Sequence, residues 1–420
     1  MSLTVVNATL DGERTRIRVE DGTIAKLGPR LRARDSDEVI DADGMAIVPG
    51  LVNGHTHAAM TLFRGHGDDL PLMRWLQDVI WPVEARLDDD DVYWGTRLAC
   101  LEMIRTGTIR FWDMYWRPAA TARAVEDAGI RATISAPLFD VGDAAGGESI
   151  PDMANRSLEE IGDPRDLVAP ALGPHAIYTV SEGALRWIAE ASEERQLPVN
   201  IHLSETEDEV VRCVQEHGVR PAEHLDRLGL LGPRTLMAHG VWLDESELAL
   251  VAERGTTVVT NPVANLKLAV GRIFPYRAAR RHDIPVGLGT DGAGSNNSLD
   301  LLQDLKVLAL LQKHEARDPS VLPAEDAWRI ATGQTAPLLG ASGLLEEGQP
   351  ADFLLVRGET PELGVGDFTA DLVYAASGSV VDSTVVNGRV LMRGGVVEGA
   401  DEVIARTRER CARLGLTRTT

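Results

Sequence analysis

The chain has 420 residues, with 42 basic against 64 acidic side chains and a net charge of −22. Hydrophobic residues at 44% and charged residues at 25% are ordinary globular usage, which excludes disordered and fibrous classes. The negative charge disfavours nucleic acid and anionic membrane surfaces as partners. No apolar stretch approaches the roughly 20 residues of a membrane helix, and no basic region followed by an apolar one opens the chain, so a cytoplasmic protein is expected.

Cys100, Cys213 and Cys411 are far apart and form no Cys-x-x-Cys; buried thiols are expected. Only Lys26, Lys267, Lys306 and Lys313 are lysines. Acidic runs such as Asp88 to Asp91 fit a surface adapted to a high-salt cytoplasm.

In chain order, residues 1–50 alternate short β runs with Asp21-Gly22 and Asp43-Gly44 turns, a pattern of hairpins. The middle alternates short apolar runs with amphipathic ones, and eight strands are predicted. They are residues 46–48 with 51–52, then 108–112, 132–135, 168–172, 199–202, 235–238, 256–259 and 286–289. Helices are expected between them, among others over 90–105, 182–195, 245–253 and 299–313. Near the other end, residues 352–356 and 380–392 are again β-rich, with an Asn387-Gly388 turn. The expected fold is α/β: a (β/α)8 TIM barrel over 51–345, with a small β-sandwich domain built from 1–50 and 346–420, the latter including a C-terminal helix.

Polar residues recur at the strand ends. His55 and His57 follow strand one, Asp113 strand two, His175 strand four, His202 strand five, His239 strand six, Asn261 strand seven and Asp291 strand eight. In a barrel these ends meet at one mouth, where active sites sit. An extended His55-Thr56-His57 aims both imidazoles at one face. With His202, His239 and Asp291 they make a mixed nitrogen and oxygen site for Zn²⁺, Fe²⁺ or another divalent ion.

A metal with an open position lowers the pKa of bound water from about 16 to around 7. Asp291 can then bind the ion and take a proton, His239 can stabilise developing charge, and Glu205 can shuttle a proton. By itself Glu205 would be an ordinary first-turn helix glutamate.

The segments Pro49 to His57, His202-Leu-Ser-Glu205, Ala238-His239-Gly240 and Gly289-Thr-Asp-Gly292 resemble the signature segments of the amidohydrolase superfamily. More narrowly, residues 58–62, Trp81-Pro-Val-Glu84, Asn261 to Asn265 and Ser295 to Asp300 resemble the 5′-methylthioadenosine/S-adenosylhomocysteine deaminase family. The resemblance implies His55, His57, His202 and Asp291 as ligands of one divalent metal, zinc first, with iron or manganese as alternatives. It implies Glu205, His239 and Asp291 as catalytic, Glu84 as a ribose contact and His175 as a pocket residue. A homo-oligomer is implied by the resemblance only. No lysine falls on a predicted barrel strand, so the carbamylated lysine that bridges two metals in other members is not expected.

The implied activity is hydrolytic deamination of an adenosine-type nucleoside: 5′-methylthioadenosine, 5′-deoxyadenosine, adenosine or S-adenosylhomocysteine. The stretch Ala136 to Glu148 lacks Arg and Lys, which disfavours a substrate with an amino-acid carboxylate unless Arg117, Arg131 or Arg156 supplies the cation. The alternatives are deamination of a free base (guanine or cytosine), triazine hydrolysis, and a non-catalytic binding module. Among the remaining residues, Trp75, Trp81, Trp112 and Trp116 are placed near the mouth-side loops. Asn296 and Asn297 are read as caps of the next helix. His217, His224, His282 and His314 are read as structural or solvated, with His66 set apart because its loop follows the histidine pair.

Overall fold

The computed structural model describes residues 2–141, 147–340 and 345–416. Five strands open the chain: β1 (Ser2–Leu10), β2 (Glu13–Glu20), β3 (Thr23–Leu27), β4 (Glu38–Asp41) and β5 (Met45–Pro49). The predicted hairpin at Asp21-Gly22 forms, both residues at positive φ, +48° and +78°, the conformation that two-residue hairpin loops demand; the one predicted at Asp43-Gly44 does not, since that turn joins β4 to β5 and each of these runs parallel to β1.

Ten parallel-paired strands follow: β6 (Leu51–Thr56), β7 (Thr108–Met114), β8 (Arg131–Ser135), β9 (Pro137–Leu138), β10 (Val168–Pro170), β11 (Gly173–Pro174), β12 (Val199–Leu203), β13 (Thr235–His239), β14 (Thr257–Thr260) and β15 (Val286–Leu288). Three more, β16 (Phe353–Arg357), β17 (Val381–Val386) and β18 (Arg389–Met392), return to the first five. All eight predicted strands are present. The fourth is the most altered: it ends at Pro170, the Ala171 amide making one more bond to the Ile134 carbonyl at 2.9 Å, and β11 resumes at Gly173.

The middle strands form two four-stranded parallel sheets, in the orders β10-β8-β7-β6 and β12-β13-β14-β15, with β11 and β9 as a separate parallel pair. Parallel bridges Leu172 to Val199 and Ala176 to His202 connect them on one side. On the other, the Asp291 N–H donates to the His55 carbonyl at 3.0 Å, and the Asn53 side chain clasps Thr290 at 2.7 and 3.1 Å. Gly289 is needed for this second closeness, because a Cβ there would lie 2.9 Å from the His55 backbone. Helices with buried faces run between the strands. The one predicted over 182–195 is observed as Glu182–Arg195, and the one predicted over 90–105 as Asp89–Thr106.

The terminal strands form one eight-stranded sheet, β18-β17-β16-β5-β1-β2-β3, with β4 also on β1. It wraps its own core of Leu3, Val5, Ile17, Ile24, Ile40, Ile47, Phe353 and Val385. The link to the middle strands is Gly50 alone, so β5 runs almost directly into β6. The C-terminal helix Ala400–Leu414 packs on Asp89–Thr106.

The acidic run Asp88 to Asp91 is not merely an acidic surface. Asp88 and Asp91 exchange 2.9 Å hydrogen bonds as a capping box. Asp91 is fully buried and pairs with Arg413 of the C-terminal helix. Cys100 and Cys213 are buried as expected, whereas Cys411 is half-buried, its Sγ 3.7 Å from the Leu62 carbonyl. Among the described residues no helix is long and apolar enough to cross a membrane.

Asp37 ties β4 to β1, accepting from the Ser2 and Thr4 hydroxyls at 2.7 and 2.6 Å and from the Arg34 amide at 2.9 Å. Burial pushes its pKa up, but the Arg34 amide, the two hydroxyls and Arg18 outweigh it and hold the carboxyl well below its usual range. A depressed folded pKa stabilises above the unfolded value and is lost as pH falls through the folded one. Asp37→Ala is therefore expected to cost about 2 kcal/mol at neutral pH. The difference in thermal midpoint from the parent should narrow below about pH 4; a constant difference down to pH 2 would contradict the assignment.

Candidate active site

The strand ends gather the expected residues at one mouth. His55 lies in β6 and His57 just beyond it; His202 is in β12, His239 ends β13, and Asp291 is the third residue after β15. Asp291 Oδ1 is 3.2 Å from His57 Nε2 and 3.6 Å from His55 Nε2. His57 Nε2 and His202 Nε2 face each other at 3.3 Å. Nitrogen and oxygen atoms of His55, His202 and His239, and of His55, His57 and Asp291, each converge within 4.8 Å.

This set fits a cation. His57 Nδ1 lies 2.7 Å from the Met114 carbonyl and His202 Nδ1 2.8 Å from the His175 carbonyl. Each therefore donates Nδ1–H outward and turns an Nε2 lone pair inward, the usual arrangement behind a metal-binding imidazole. Two lone pairs pointed at one another 3.3 Å apart leave a gap that a cation satisfies. His55 is fully buried, and neither of its ring nitrogens has a hydrogen-bond partner, a cost that a metal bond removes.

The electrostatics agree. Burial and neighbouring imidazoles hold His55 and His202 well below the ordinary histidine pKa, in the neutral form that ligates. Burial acts in the same direction on His57, but the Asp291 hydrogen bond and charge prevail and push it up to about 9, so a cation at its Nε2 would take the place of the proton shared with Asp291. For Asp291 burial is outweighed by His57, His239 and His55, which keep it ionised. Ser295 Oγ donates to Asp291 Oδ2 at 2.7 Å, fixing the carboxylate so that Oδ1 faces the histidines. None of the four lysine side chains belongs to this cluster; Lys267 Nζ is engaged by Asp68 and Asn297 at 2.6 and 2.7 Å.

Glu205 is two residues past β12, and its Oε1 is 3.8 Å from His239 Nδ1. Burial raises its pKa, His239 opposes, and Asp291 adds to the rise. His239 Nδ1 is 2.9 Å from Asn265 Oδ1, an orienting contact that leaves Nε2 for the site. Ser204, His239 and Asp291 all sit at positive φ, +52°, +77° and +62°, an uncommon conformation for residues other than glycine that concentrates at functional sites.

Glu84 and His175 lie on the walls of the same cavity, which measures about 100 Å³ and also presents Trp75, Tyr115, Trp116 and Tyr178. Glu84 accepts from the Tyr115 hydroxyl at 2.7 Å, and burial raises its pKa. His175 stacks on Phe139, centroids 4.5 Å apart, and Phe139 on Trp116 at 5.5 Å, giving an aromatic tier. Burial, with His57 and His239, pushes the His175 pKa down to about 3, so the ring is neutral.

A second cavity of about 1050 Å³ shares Trp81, Glu84, Trp116 and Phe139 with the first and adds Val141, Arg117 and Arg156. Both arginines there are engaged. Arg117 pairs with Asp89 at 2.6 Å, and Arg156 with Glu148 at 2.7 Å and Glu160 at 3.7 Å. Arg131 is buried against Asp352 at 2.8 Å, away from the cavity. Of the stretch Ala136 to Glu148, residues 142–146 lie outside the described residues.

Three expectations are corrected. Trp112 is not at the mouth: strand alternation sends it into an interior layer with Val52, Leu236 and Val259, where it is 2% exposed. Asn296 and Asn297 do not cap the following helix, whose cap is Asp300. Instead Asn296 Nδ2 donates to the Thr290 carbonyl at 2.8 Å and to Asp304 at 3.0 Å, while Asn297 joins Asp68 and Lys267. His66 offers the pocket wall its carbonyl, 3.2 Å from Trp75 Nε1.

The sequence does not by itself mark Asn265, Ser295 or Tyr115 as site residues. The first two stand in segments quoted for the family resemblance, which was their available signal. A further grouping, Glu182, His217 and His224, lies on the outer helices. There the two imidazoles stack at 4.0 Å and 24°, and His217 Nδ1 is 3.1 Å from a Glu182 oxygen.

Residues 46–391 match the amidohydrolase family. A 5′-deoxyadenosine deaminase of Methanoregula boonei is 48% identical, covering 93% of this chain and 90% of that one. A 5-methylthioadenosine/S-adenosylhomocysteine deaminase of Archaeoglobus fulgidus is 43% identical, over 95% and 94% of the two chains. The solved structure of an adenosine deaminase from Xanthomonas campestris with bound zinc superposes with a TM-score of 0.92 at 32% identity, covering 99% of both chains. With a family match over most of its own length and relatives of this similarity, the chain belongs to the amidohydrolase family, in the branch of the 5′-deoxyadenosine and 5-methylthioadenosine/S-adenosylhomocysteine deaminases.

Proposed function

We propose that this enzyme hydrolytically deaminates an adenosine-type nucleoside with an uncharged 5′ substituent, releasing ammonia and the inosine analogue. The names of its relatives support the reaction. The observation that carries the reading is the inward-facing donor set of His55, whose ring nitrogens are unpartnered, with His57, His202 and Asp291, and buried Glu205 beside it. We read these four as ligands of one divalent ion, zinc first, with iron or manganese as alternatives. When bound, such an ion supplies the Lewis acidity that brings a water pKa to around 7.

The chain's own groups account for the proton traffic. Glu205 gives its proton to N1 of the purine as water oxygen bonds to C6, and Asp291 takes a proton from that water. His239, held by Asn265, presents Nε2 to the added oxygen. The Asp291 proton goes to the amine, the C6–N bond breaks and ammonia leaves. The hydroxyl proton on C6 returns to Glu205, leaving the lactam.

The purine fits against the Trp116, Phe139 and His175 tier, and Glu84, braced by Tyr115, is assigned to the ribose hydroxyls. The neutralised arginines of the outer cavity favour a methylthio, hydrogen or hydroxyl substituent over a zwitterionic tail. In the same reading the two parallel sheets close into a (β/α)8 barrel over 51–345, and the terminal sheet over 1–50 and 346–420 folds on itself as a sandwich.

Ammonia release by metal-replete protein from 5′-deoxyadenosine, 5′-methylthioadenosine, adenosine, S-adenosylhomocysteine, guanine and cytosine tests the reading. Adenosine analogues should lead and S-adenosylhomocysteine trail; release from free bases alone overturns it. Glu84→Ala is expected to lower kcat/KM for nucleosides about 100-fold, through loss of charge-assisted hydrogen bonds of about 1.5–3 kcal/mol. An equal loss on a free base would show that Glu84 does not hold the ribose.

A further inference from the structure

We infer that Glu209 is a positioning residue for the reaction, acting through Glu205; the inference rests on the proton-transfer role proposed above. Glu209 is in the first turn of the helix Glu207–His217, whose cap is Thr206. A glutamate at that position ordinarily reaches back to the amide of the capping residue. Here it reaches further. Its two oxygens accept from the Ser204 and Glu205 amides, each at 2.9 Å, so one carboxylate grips two successive N–H groups.

Those amides belong to the turn that carries the chain from the ligand-bearing strand β12 to the catalytic carboxyl. Ser204 is fully buried and at φ +52°, a conformation that costs about 1 kcal/mol or more and persists only when its surroundings impose it. The bidentate grip is a contact that does so: turning Ser204 to an ordinary extended φ swings the two successive N–H groups apart, so that one carboxylate can no longer hold both. The remainder of the turn is restrained by β13, through the Gly240 amide to the Leu203 carbonyl at 3.0 Å and the Trp242 amide to the Ser204 carbonyl at 2.8 Å.

Glu209 is itself only 6% exposed and is absent from the cavity lining. It therefore does not touch substrate. A buried carboxylate with no role costs stability, and the two amide bonds are its compensation. The consequence for the reaction is geometric: Glu205 is held where its oxygen stands 3.8 Å from His239 Nδ1, and a displacement of about 1 Å in a catalytic group can cost roughly 100-fold in rate.

The test uses the metal-loaded, full-length protein and its best nucleoside substrate. Glu209→Gln replaces one acceptor by an NH₂ group that faces an N–H, so one of the two bonds is lost. The expected result is a kcat lowered about 10- to 100-fold, with KM within about threefold and metal content unchanged. In a Glu205→Gln background the same substitution should have almost no further effect on rate, because the group it positions is gone. A folded Glu209→Gln with kcat within twofold of the parent, or an undiminished effect in the Glu205→Gln background, overturns the inference.

Hydrogen exchange on the unaltered protein covers the case in which the variants fail to fold. The Ser204 and Glu205 amides should exchange as slowly as those of β12, and fast exchange overturns the inference. A parent protein that deaminates no nucleoside defeats the function proposed above, and the exchange result then judges the grip alone.

Discussion

Glu205→Gln is expected to leave a folded, metal-containing protein whose kcat has fallen about 1000-fold, the middle of the range for loss of a general acid or base. Gln keeps the size and hydrogen-bonding reach of the side chain but carries no transferable proton. KM should move little, since Glu205 acts on a ring nitrogen whose basicity rises only as C6 is attacked. Stability should move in the opposite direction to activity. The Glu205 pKa is raised by burial, so the fold loses stability as pH rises through that value and the group ionises. Gln never ionises, and at pH 8 the variant should melt at or above the temperature of the parent. Turnover within tenfold of the parent would remove Glu205 from the proton path; a lower melting temperature at pH 8 would show its environment to be more polar than described.

Loss of the cation is the second large effect. Chelation of the wild-type protein should reduce activity at least about 1000-fold, and added zinc, iron or manganese should restore it. His55→Ala should be as inactive and should resist rescue. Its loss removes a fully buried imidazole that no protein group satisfies, so the variant binds less metal without breaking any hydrogen bond the chain makes. Metal binding also stabilises the fold by mass action, about 4 kcal/mol when the free ion is 1000-fold above its dissociation constant. Reloading should therefore raise the melting temperature of wild type, and of His55→Ala much less. An apo protein as active as the loaded one would refute the metal reading.

The sequence made some of this legible and concealed the rest for identifiable reasons. Strands such as Val199–Leu203 and Thr235–His239 are short runs rich in apolar residues with a histidine at or next to the last position, so their ends could be placed and the histidines grouped. Asn296 and Asn297 looked like helix caps because Asn is a good cap, yet Asp300, nearer the helix, takes that position and releases them to brace the loop after β15. Trp112 and Asp113 are adjacent, and only the phase of β7 decides which enters the interior layer and which accepts the Ala58 amide at 2.6 Å. Glu209 resembled any first-turn acid. Its length lets it bypass the cap and grip Ser204 and Glu205, a fact about direction that composition and periodicity do not carry.

The single glycine between β5 and β6 bears on how the protein is made. β5 pairs with β16 in the register Pro49 to Phe353 and Met45 to Arg357, so the strand leading into the His55 and His57 segment waits for a neighbour synthesised some 300 residues later. Contacts of such separation form late, because the entropy of closing so long a loop is lost before any pairing rewards it. On a ribosome adding about 5–20 residues per second, the nascent chain spends on the order of 15 to 60 s with β5 unpaired on that side. A shortened chain ending before Phe353 would contain every residue assigned to the metal and to catalysis, yet lack the edge that anchors the first of them. The β5–β16 pairing therefore follows the synthesis of every residue assigned to the metal and to catalysis.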